Sequence, residues 1–212
     1  MPPVAPLPAL ANGFVTFGYF GRPERLNDEV IAAWALILEH VRGSRLMLNS
    51  RPFRESAFRD LVAARFAAQG IARERLELAC TEPQVHTWTA YGAVDIALDP
   101  FPHNAGTTTI EALWQGVPVV SLAGRPSVGR FGAMILHAVG MDDWVFDNAA
   151  SYIERAVASA DDLAALSLLR TGLRSRVAAS PLCDAVGLAR LVEASYRMLW
   201  DAWLSTATAR VA

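Results

Sequence analysis

Residues 94–122 read VDIALDPFPHNAGTTTIEALWQGVPVVSL, and the rest of the chain is organised around them. β-branched and apolar residues predict a strand over residues 94–98 and another over residues 117–122. Between them, residues 100–106 form a loop rich in turn-forming proline, asparagine and glycine. Three threonines then open a short helix that ends at Gln115. Strand, loop, helix and strand in this order predict one unit of a parallel α/β sheet.

The start of this helix supports two interpretations. Thr108 and Glu111 have the spacing of a capping box, so the threonines can serve as caps alone. A polar loop that meets a helix start just past a parallel strand is also where α/β sheets bind nucleotides and phosphates. Asn104 and Gly106 let the backbone approach an anion, Thr107 and Thr108 offer hydroxyl and N–H groups, and Glu111 can accept from ribose hydroxyls.

The rest of the chain alternates strands and helices, which predicts a doubly wound, Rossmann-like parallel α/β sheet of about six strands with C-terminal helices. Residues 1–12 are expected to be a flexible Pro/Ala lead, residues 13–204 the domain and residues 205–212 a tail. The remaining strands are predicted over residues 14–17, 45–48, 76–80 and 144–146. The later helices are predicted over residues 131–139, 149–159, 161–178 and 185–204.

Composition limits the possible partners. The 212 residues are 53% hydrophobic and 19% charged, and the formal net charge is −2, which gives no electrostatic case for nucleic acid or an anionic membrane. Cys80 and Cys183 form no metal-binding pattern and predict reduced thiols. No apolar run approaches the roughly 20 residues of a membrane helix, so we expect a cytoplasmic protein. The sequence has no P-loop, dinucleotide fingerprint, nucleophile elbow or zinc-protease motif.

Arginines and histidines in two loops are further candidates for ligand contact. Arg22 and Arg25 follow the first predicted strand, which places them at the same sheet edge as the threonines. Arginine there can pair with phosphate oxygens, although a solvated loop arginine is the alternative. His86 precedes a short helix and His103 lies in the central loop, and either can contact ligand or serve as an ordinary surface residue.

Three long segments resemble the O-linked N-acetylglucosamine transferase family, of the SPINDLY and peptide N-acetylglucosaminyltransferase type. They are FGYFGRPERLNDEVIAAWALILEHVRGSRLMLNS, DIALDPFPHNAGTTTIEALWQGVPVVSLAGRPSVGRFGA and LRTGLRSRVAASPLCDA with YRMLWDAW, and the resemblance covers residues 14–203. It implies the second lobe of a two-lobe glycosyltransferase of the GT-B type. Such enzymes transfer N-acetylglucosamine from its UDP donor to serine or threonine hydroxyls of proteins. The transfer inverts the anomeric centre and uses no metal or other cofactor.

The resemblance also implies roles for individual residues. Thr107 and Thr108 fall where the family holds the diphosphate, and Glu111 falls where it has an acidic residue on the ribose. Arg25 falls where the animal enzymes have a lysine that stabilises the departing UDP, with Arg22 beside it. These assignments predict Arg25 as the catalytic residue and the others as donor-binding residues.

Several positions depart from the family pattern. Arg25 replaces a lysine, and Gly21 replaces an asparagine that is common after the phenylalanine. Gly106 stands where the animal enzymes have a histidine. The histidine that stacks on uracil is expected near position 87, where this chain has His86 followed by Thr87. Hence GDP-fucose and UDP-glucose remain alternative donors.

The length of the chain is a further departure from the family pattern, because 212 residues make only the second lobe of the two. The resemblance implies a first lobe and tetratricopeptide repeats, in cis or in trans, which hold the protein acceptor. We expect a fragment that binds the donor and has little or no transferase activity alone. A non-catalytic binding or assembly module is the alternative of a different class.

Overall fold

The computed structural model describes residues 1–209, except for the side chains of residues 84, 85 and 207–209. Six strands within this part of the chain form one sheet, in which every neighbouring pair is parallel. The predicted α/β fold is therefore confirmed. The strands are β1 (Thr16–Phe20), β2 (Arg45–Asn49), β3 (Leu76–Ala79), β4 (Ile96–Leu98), β5 (Val119–Leu122) and β6 (Val145–Phe146).

The order of the strands positions the functional edge. The sheet runs β3-β2-β1-β4-β5-β6, so the chain winds outward from β1 in one direction and from β4 in the other. The connections after β1 and β4 therefore leave on opposite faces, and a crevice opens at the carboxyl ends of these two strands. Both strands are buried along their whole length, as expected for a parallel sheet covered by helices on its two faces.

Helices cover the sheet, and their starts follow local sequence signals. The side chain of Asn27 caps the second helix by accepting a 2.9 Å hydrogen bond from the Val30 N–H, as its position before the apolar run predicts. The helices are α1 (Ala9–Asn12), α2 (Asp28–His40), α3 (Ser56–Ala67), α4 (Gln84–Ala90), α5 (Thr107–Trp114), α6 (Phe131–Ala138), α7 (Ala149–Asp161), α8 (Leu163–Ala178) and α9 (Ala185–Ala209).

The first residues are packed against the domain, which corrects the expectation of a flexible lead over residues 1–12. Leu7 is buried. Arg170 Nε on α8 donates to the Ala5 carbonyl and Arg174 Nη2 donates to the Pro2 carbonyl, each over 2.7 Å. A Pro/Ala composition favours a linker, but two arginines far along the chain, the buried Arg170 and the partly buried Arg174, satisfy its carbonyl groups.

The last helix exposes an apolar face. α9 continues through Ala209, so residues 205–209 of the predicted tail are helical, and residues 210–212 lie outside the described part of the chain. Its large apolar residues are exposed, among them Leu188, Leu199, Trp200 and Trp203. No helix in the described chain combines the length and hydropathy needed to cross a membrane.

Candidate functional site at the carboxyl edge of the sheet

A cleft of about 310 Å³ lies at the edge where β1, β2 and β3 end and α5 begins. On the side of α5 lies what we call the phosphate half, which consists of residues 21–25 after β1 (the arginine segment), residues 100–106 after β4 (the threonine loop) and the start of α5. Of these residues, Gly21 and Thr108 line the cleft itself. The other side, the base half, consists of the residues that follow β2 and β3 together with α4. The lining residues are Phe20, Gly21, Asn49, Ser50, Arg51, Thr81, Glu82, Thr87, Thr108 and Glu111.

The N-terminus of α5 is open. The helix begins at Thr107 with Gly106 at its N-cap, and no side chain makes a capping hydrogen bond there among the described residues. Thr108 therefore lies inside the first turn and is not the N-cap, so the capping-box interpretation does not describe this helix. An uncapped first turn presents N–H groups and the positive end of the helix dipole. Together these form an anion-binding surface on the phosphate half.

The threonine loop is fixed from beneath by the buried carboxylate of Asp99. Its Oδ1 accepts from the Ala105 N–H over 2.7 Å, and its Oδ2 accepts from Ser121 Oγ over 2.6 Å. Complete burial raises the pKa of Asp99 to about 7, against the opposing effects of Ser121, Ala105 and the charge of Arg25. The loop therefore reaches α5 in one defined conformation, set by the end of β4.

Asn104 does not reach the cleft. Its side chain is fully buried, and its amide donates to the carbonyl groups of Pro100 (3.0 Å) and Leu122 (3.2 Å). In this structure the residue shapes the threonine loop, whereas the sequence predicted a direct contact with ligand. The difference arises because an asparagine in a loop has the same sequence pattern whether its amide points outward or inward.

The arginine segment faces the threonine loop. Partial burial and the charges of Arg25 and Arg22 lower the pKa of His103, which places this exposed histidine within the field of both arginines. Arg25 is half-buried and Arg22 is exposed. The Nε atom of Arg25 is buried, and no described residue is its hydrogen-bond partner. The structure thus brings together the two loops that the sequence predicts to meet at one sheet edge.

Glu111 lies at the boundary between the two halves of the cleft. Trp88 Nε1 on α4 donates to Glu111 Oε1 over 3.3 Å, and Tyr91 Oη donates to the Thr108 carbonyl over 3.2 Å. Neither aromatic residue was singled out from the sequence, since a tryptophan or tyrosine in a short helix reads as an ordinary packing residue. Both orient groups that the sequence assigned to the ligand.

In the base half, His86 does not lie where the resemblance implies a histidine that stacks on uracil. Thr87 lines the cleft and donates through Oγ1 to the Thr81 carbonyl over 3.0 Å. His86 is exposed on α4 and is not among the lining residues. The sequence therefore places a threonine where the resemblance implies a stacking histidine.

Several lining residues of the base half were missed. The amide of Asn49 bonds to the hydroxyl and the N–H of Thr81 (2.8 and 3.0 Å), and Glu82 pairs with Arg51 and Arg54. These residues lie at or just after the ends of β2 and β3, so the carboxyl-edge rule applied to every strand could have found them. No group of described residues has the composition of a metal site.

Comparison with known proteins supports the same interpretation. The model of the family described as glycosyl transferase family 41 matches residues 7–190. The SPINDLY proteins of Solanum lycopersicum and Arabidopsis thaliana, named as probable UDP-N-acetylglucosamine–peptide N-acetylglucosaminyltransferases, are each 38% identical over 199 residues. The aligned region is 93% of this chain and 21% and 22% of those proteins, so the chain spans about a fifth of their length.

A solved structure extends the comparison to three dimensions. A mutant O-GlcNAc transferase from Thermobaculum terrenum superposes with a TM-score of 0.85 and 34% sequence identity, over 94% of this chain and 38% of that chain. The second-lobe fold expected from the sequence is confirmed by this match. The family resemblance read from the three quoted segments is confirmed as well, and the chain belongs to glycosyl transferase family 41.

Proposed function

We propose that this chain is the donor-binding half of a protein O-glycosyltransferase, with UDP-N-acetylglucosamine as the donor. The observation that carries the proposal is the open N-terminus of α5 at the switch point of the sheet, the edge where the arginine segment after β1 also lies. Family membership and the names of the SPINDLY relatives support the same donor class.

The diphosphate is assigned to the phosphate half. The N–H groups of Thr107 and Thr108 and the Thr108 hydroxyl bind its oxygens, and the positive end of the helix dipole adds to the attraction. Gly106 lets the backbone approach closely, and a Cβ at that position would meet no heavy atom within 4 Å. Arg22, exposed beside the cleft, adds positive charge to the rim, and the exposed His103 offers a ring nitrogen for a hydrogen bond to the donor.

Arg25 is assigned to the leaving group. In an inverting transfer, the acceptor hydroxyl oxygen attacks the anomeric carbon while the bond from that carbon to the β-phosphate oxygen breaks. Negative charge therefore develops on UDP, and a guanidinium fixed in advance stabilises it. The acceptor proton passes to a general base outside this chain.

Glu111 is assigned to the ribose. A carboxylate accepts hydrogen bonds from two neighbouring hydroxyl groups, and the Trp88 N–H holds one carboxylate oxygen in place. His86 remains a candidate for contact with the base from the rim of α4.

A guanine-nucleotide sugar such as GDP-fucose is the second candidate donor, favoured by Glu82 in the base half. A carboxylate can accept from two N–H groups on one edge of guanine, whereas uracil presents a single N–H between two carbonyl groups. UDP-glucose differs from the first candidate only in its sugar.

Transfer requires more than the donor site. The acceptor oxygen must be held against the donor sugar, and a first lobe with tetratricopeptide repeats, in cis or in trans, is assigned that role along with binding of the protein acceptor. Cys80 and Cys183 are free thiols, which supports a cytoplasmic location.

Calorimetric titration of the 212-residue chain tests the proposal. We expect saturable binding of UDP and UDP-N-acetylglucosamine, and at least tenfold weaker binding by Glu111→Ala, since hydrogen bonds to a charged group contribute about 1.5–3 kcal/mol. Glu154→Ala, which removes an exposed glutamate on α7, is the matched control and should bind as the wild type does. Titration with GDP separates the two donors. Wild-type protein that binds none of these ligands would overturn the proposal.

A further inference from the structure

The hydroxyl of Tyr19 lies directly behind the arginine segment. Tyr19 is the penultimate residue of β1 and is 5% exposed. Its ring packs against Trp34 of α2, with the ring centroids 5.6 Å apart. From this position Oη donates to the main-chain carbonyl of Arg22 over 3.2 Å. A side chain fixed by the sheet and a helix therefore holds the backbone of a loop that borders the cleft.

Gly21 shows how closely the segment covers this hydroxyl. A Cβ atom at residue 21 would lie 2.6 Å from Tyr19 Oη and 2.7 Å from Cζ. Any larger residue would displace the segment, because real Cβ atoms do not approach other atoms so closely. Glycine is required here for space, and the space is occupied by the tyrosine.

The same hydroxyl faces the guanidinium of Arg25. Burial raises the pKa of Tyr19 to about 12, and the charge and hydrogen bonding of Arg25 oppose that rise. The hydroxyl therefore stays protonated at neutral pH. It donates its proton to the Arg22 carbonyl, which leaves its oxygen lone pairs available to Arg25.

Other fixed partners of Arg25 are few. No carboxylate among residues 1–209 lies within ion-pair distance of its guanidinium. Asp99 acts on it only through its charge. The fixed contact near Arg25 is the hydrogen bond from Tyr19 to the Arg22 carbonyl, which holds the backbone of the segment.

We propose that Tyr19 is a positioning residue, which fixes the arginine segment so that Arg25 points at the diphosphate of the donor. The inference rests on the proposed function and deepens it. In this role the buried tyrosine orients the guanidinium of Arg25 before the donor binds. Little reorganisation then remains at the moment of reaction.

Tyr19→Phe removes one oxygen atom and tests the inference by calorimetry with UDP on the full chain. We expect five- to tenfold weaker UDP binding, the range of one neutral hydrogen bond of about 1 kcal/mol. Uridine, which has no phosphate, should bind the variant and the wild type equally. In an Arg25→Met background, adding Tyr19→Phe should change the UDP affinity by less than twofold, because the residue acts through Arg25.

Ser180→Ala is the matched control. It removes a buried hydroxyl that also donates to a main-chain carbonyl, that of Val177 over 2.7 Å, at the carboxyl end of α8. Its UDP affinity should equal that of the wild type, even where its resistance to urea falls by the same amount as that of Tyr19→Phe. A role of Tyr19 in stability alone would make the two variants behave alike.

Gly21→Ala provides a second variant that leaves Tyr19 intact, and it decides the question if Tyr19→Phe does not fold. The added Cβ pushes the arginine segment away from the hydroxyl and should also weaken UDP binding with uridine binding unchanged. Unaltered UDP affinity in the folded variants, or an equal loss in the Arg25→Met background, would overturn the inference alone. Failure of the wild type to bind UDP would overturn the proposed function first.

Discussion

The two halves of the cleft are fixed in different ways. In the phosphate half, the threonine loop is held by the buried Asp99 and Asn104, and the arginine segment by the buried Tyr19. The base half also has a buried anchor, Asn49, but its Glu82 is held by Arg51 and Arg54, whose side chains are 80% and 58% exposed. The bonds that fix the phosphate half are part of the core, whereas the ion pairs of Glu82 lie in solvent.

We therefore expect the phosphate half to set the affinity for the diphosphate and the base half to set the preference for one base. Buried hydrogen bonds to the backbone are costly to break and keep the groups that we propose to bind the diphosphate in one arrangement. Exposed ion pairs contribute about 0–1 kcal/mol, so residues of the base half can change without loss of the fold. A family that keeps the phosphate half and varies the base half can therefore retain one reaction with different donor bases.

The largest expected effect concerns Asp99. Its pKa is about 7 in the folded protein and about 3.9 in an unfolded chain, so between these pH values the folded state keeps a proton that the unfolded state loses. Wild-type stability from this group is complete below pH 4 and is lost as the pH rises through 7. Asp99→Asn cannot titrate and keeps partners for Ala105 and Ser121. Its stability relative to the wild type should therefore rise by up to about 4 kcal/mol between pH 4 and pH 8.

Urea unfolding of both proteins across this pH range measures the difference. Asp95, whose pKa burial also raises, is present in both proteins and cancels in the comparison. Parallel stability profiles would show that the carboxylate of Asp99 is not held in a buried environment.

Arg25 carries the next largest effect. Arg25→Met should weaken UDP binding about 10- to 100-fold, because a charge-assisted contact with phosphate contributes about 1.5–3 kcal/mol. Arg25→Lys should recover part of the loss, and uridine binding should not change. Arg190→Met on the exposed face of α9 is the control, measured by the same calorimetric titration. Equal UDP affinity in wild type and Arg25→Met would contradict the assignment of this arginine to the diphosphate.

Trp88 connects α4 to the ribose site, and its effect is smaller. Trp88→Phe removes the N–H that holds Glu111 but leaves the carboxylate in place, so UDP and uridine should both bind about three- to fivefold more weakly. Trp200→Phe, on the exposed face of α9, should change neither affinity. A loss confined to UDP would place Trp88 with the phosphate half instead.

Replacement of Glu82 is expected to have the smallest effect on stability and a measurable effect on the preference between GDP and UDP. Glu82→Gln should alter the free energy of unfolding by less than about 1 kcal/mol, since its ion pairs are exposed. The ratio of GDP to UDP dissociation constants should increase about two- to fivefold, because an amide accepts less strongly from the two N–H groups of guanine. Competition between the two nucleotides in one titration measures this ratio, and an unchanged ratio would remove Glu82 from the base pocket.

The strands and the phosphate half were predictable because their signals are local. Apolar runs marked the six strands, and the threonines after β4 and the arginines after β1 were placed at one edge by the rule for parallel sheets. Five of the six strands lie within two residues of their predicted bounds, whereas β1 continues to Phe20, beyond the predicted end at residue 17. The arginines follow β1 and the threonines follow β4, as predicted.

Contacts between distant residues were not predictable in the same way. The carbonyl groups of Ala5 and Pro2 are held by Arg170 and Arg174 on α8, and the composition of residues 1–12 cannot show these contacts. The inward amide of Asn104 and the hydroxyl of Tyr19 depend on the path of the folded loops, for which the sequence has no motif.

The most direct test of the donor-binding half is a crystal structure of this chain with UDP. We expect the diphosphate at the start of α5, with oxygens bonded to the Thr107 and Thr108 N–H groups, the Arg25 guanidinium within ion-pair distance and the ribose hydroxyls on Glu111. UDP bound away from α5, or an ordered diphosphate that Arg25 does not contact, would contradict the proposed donor site.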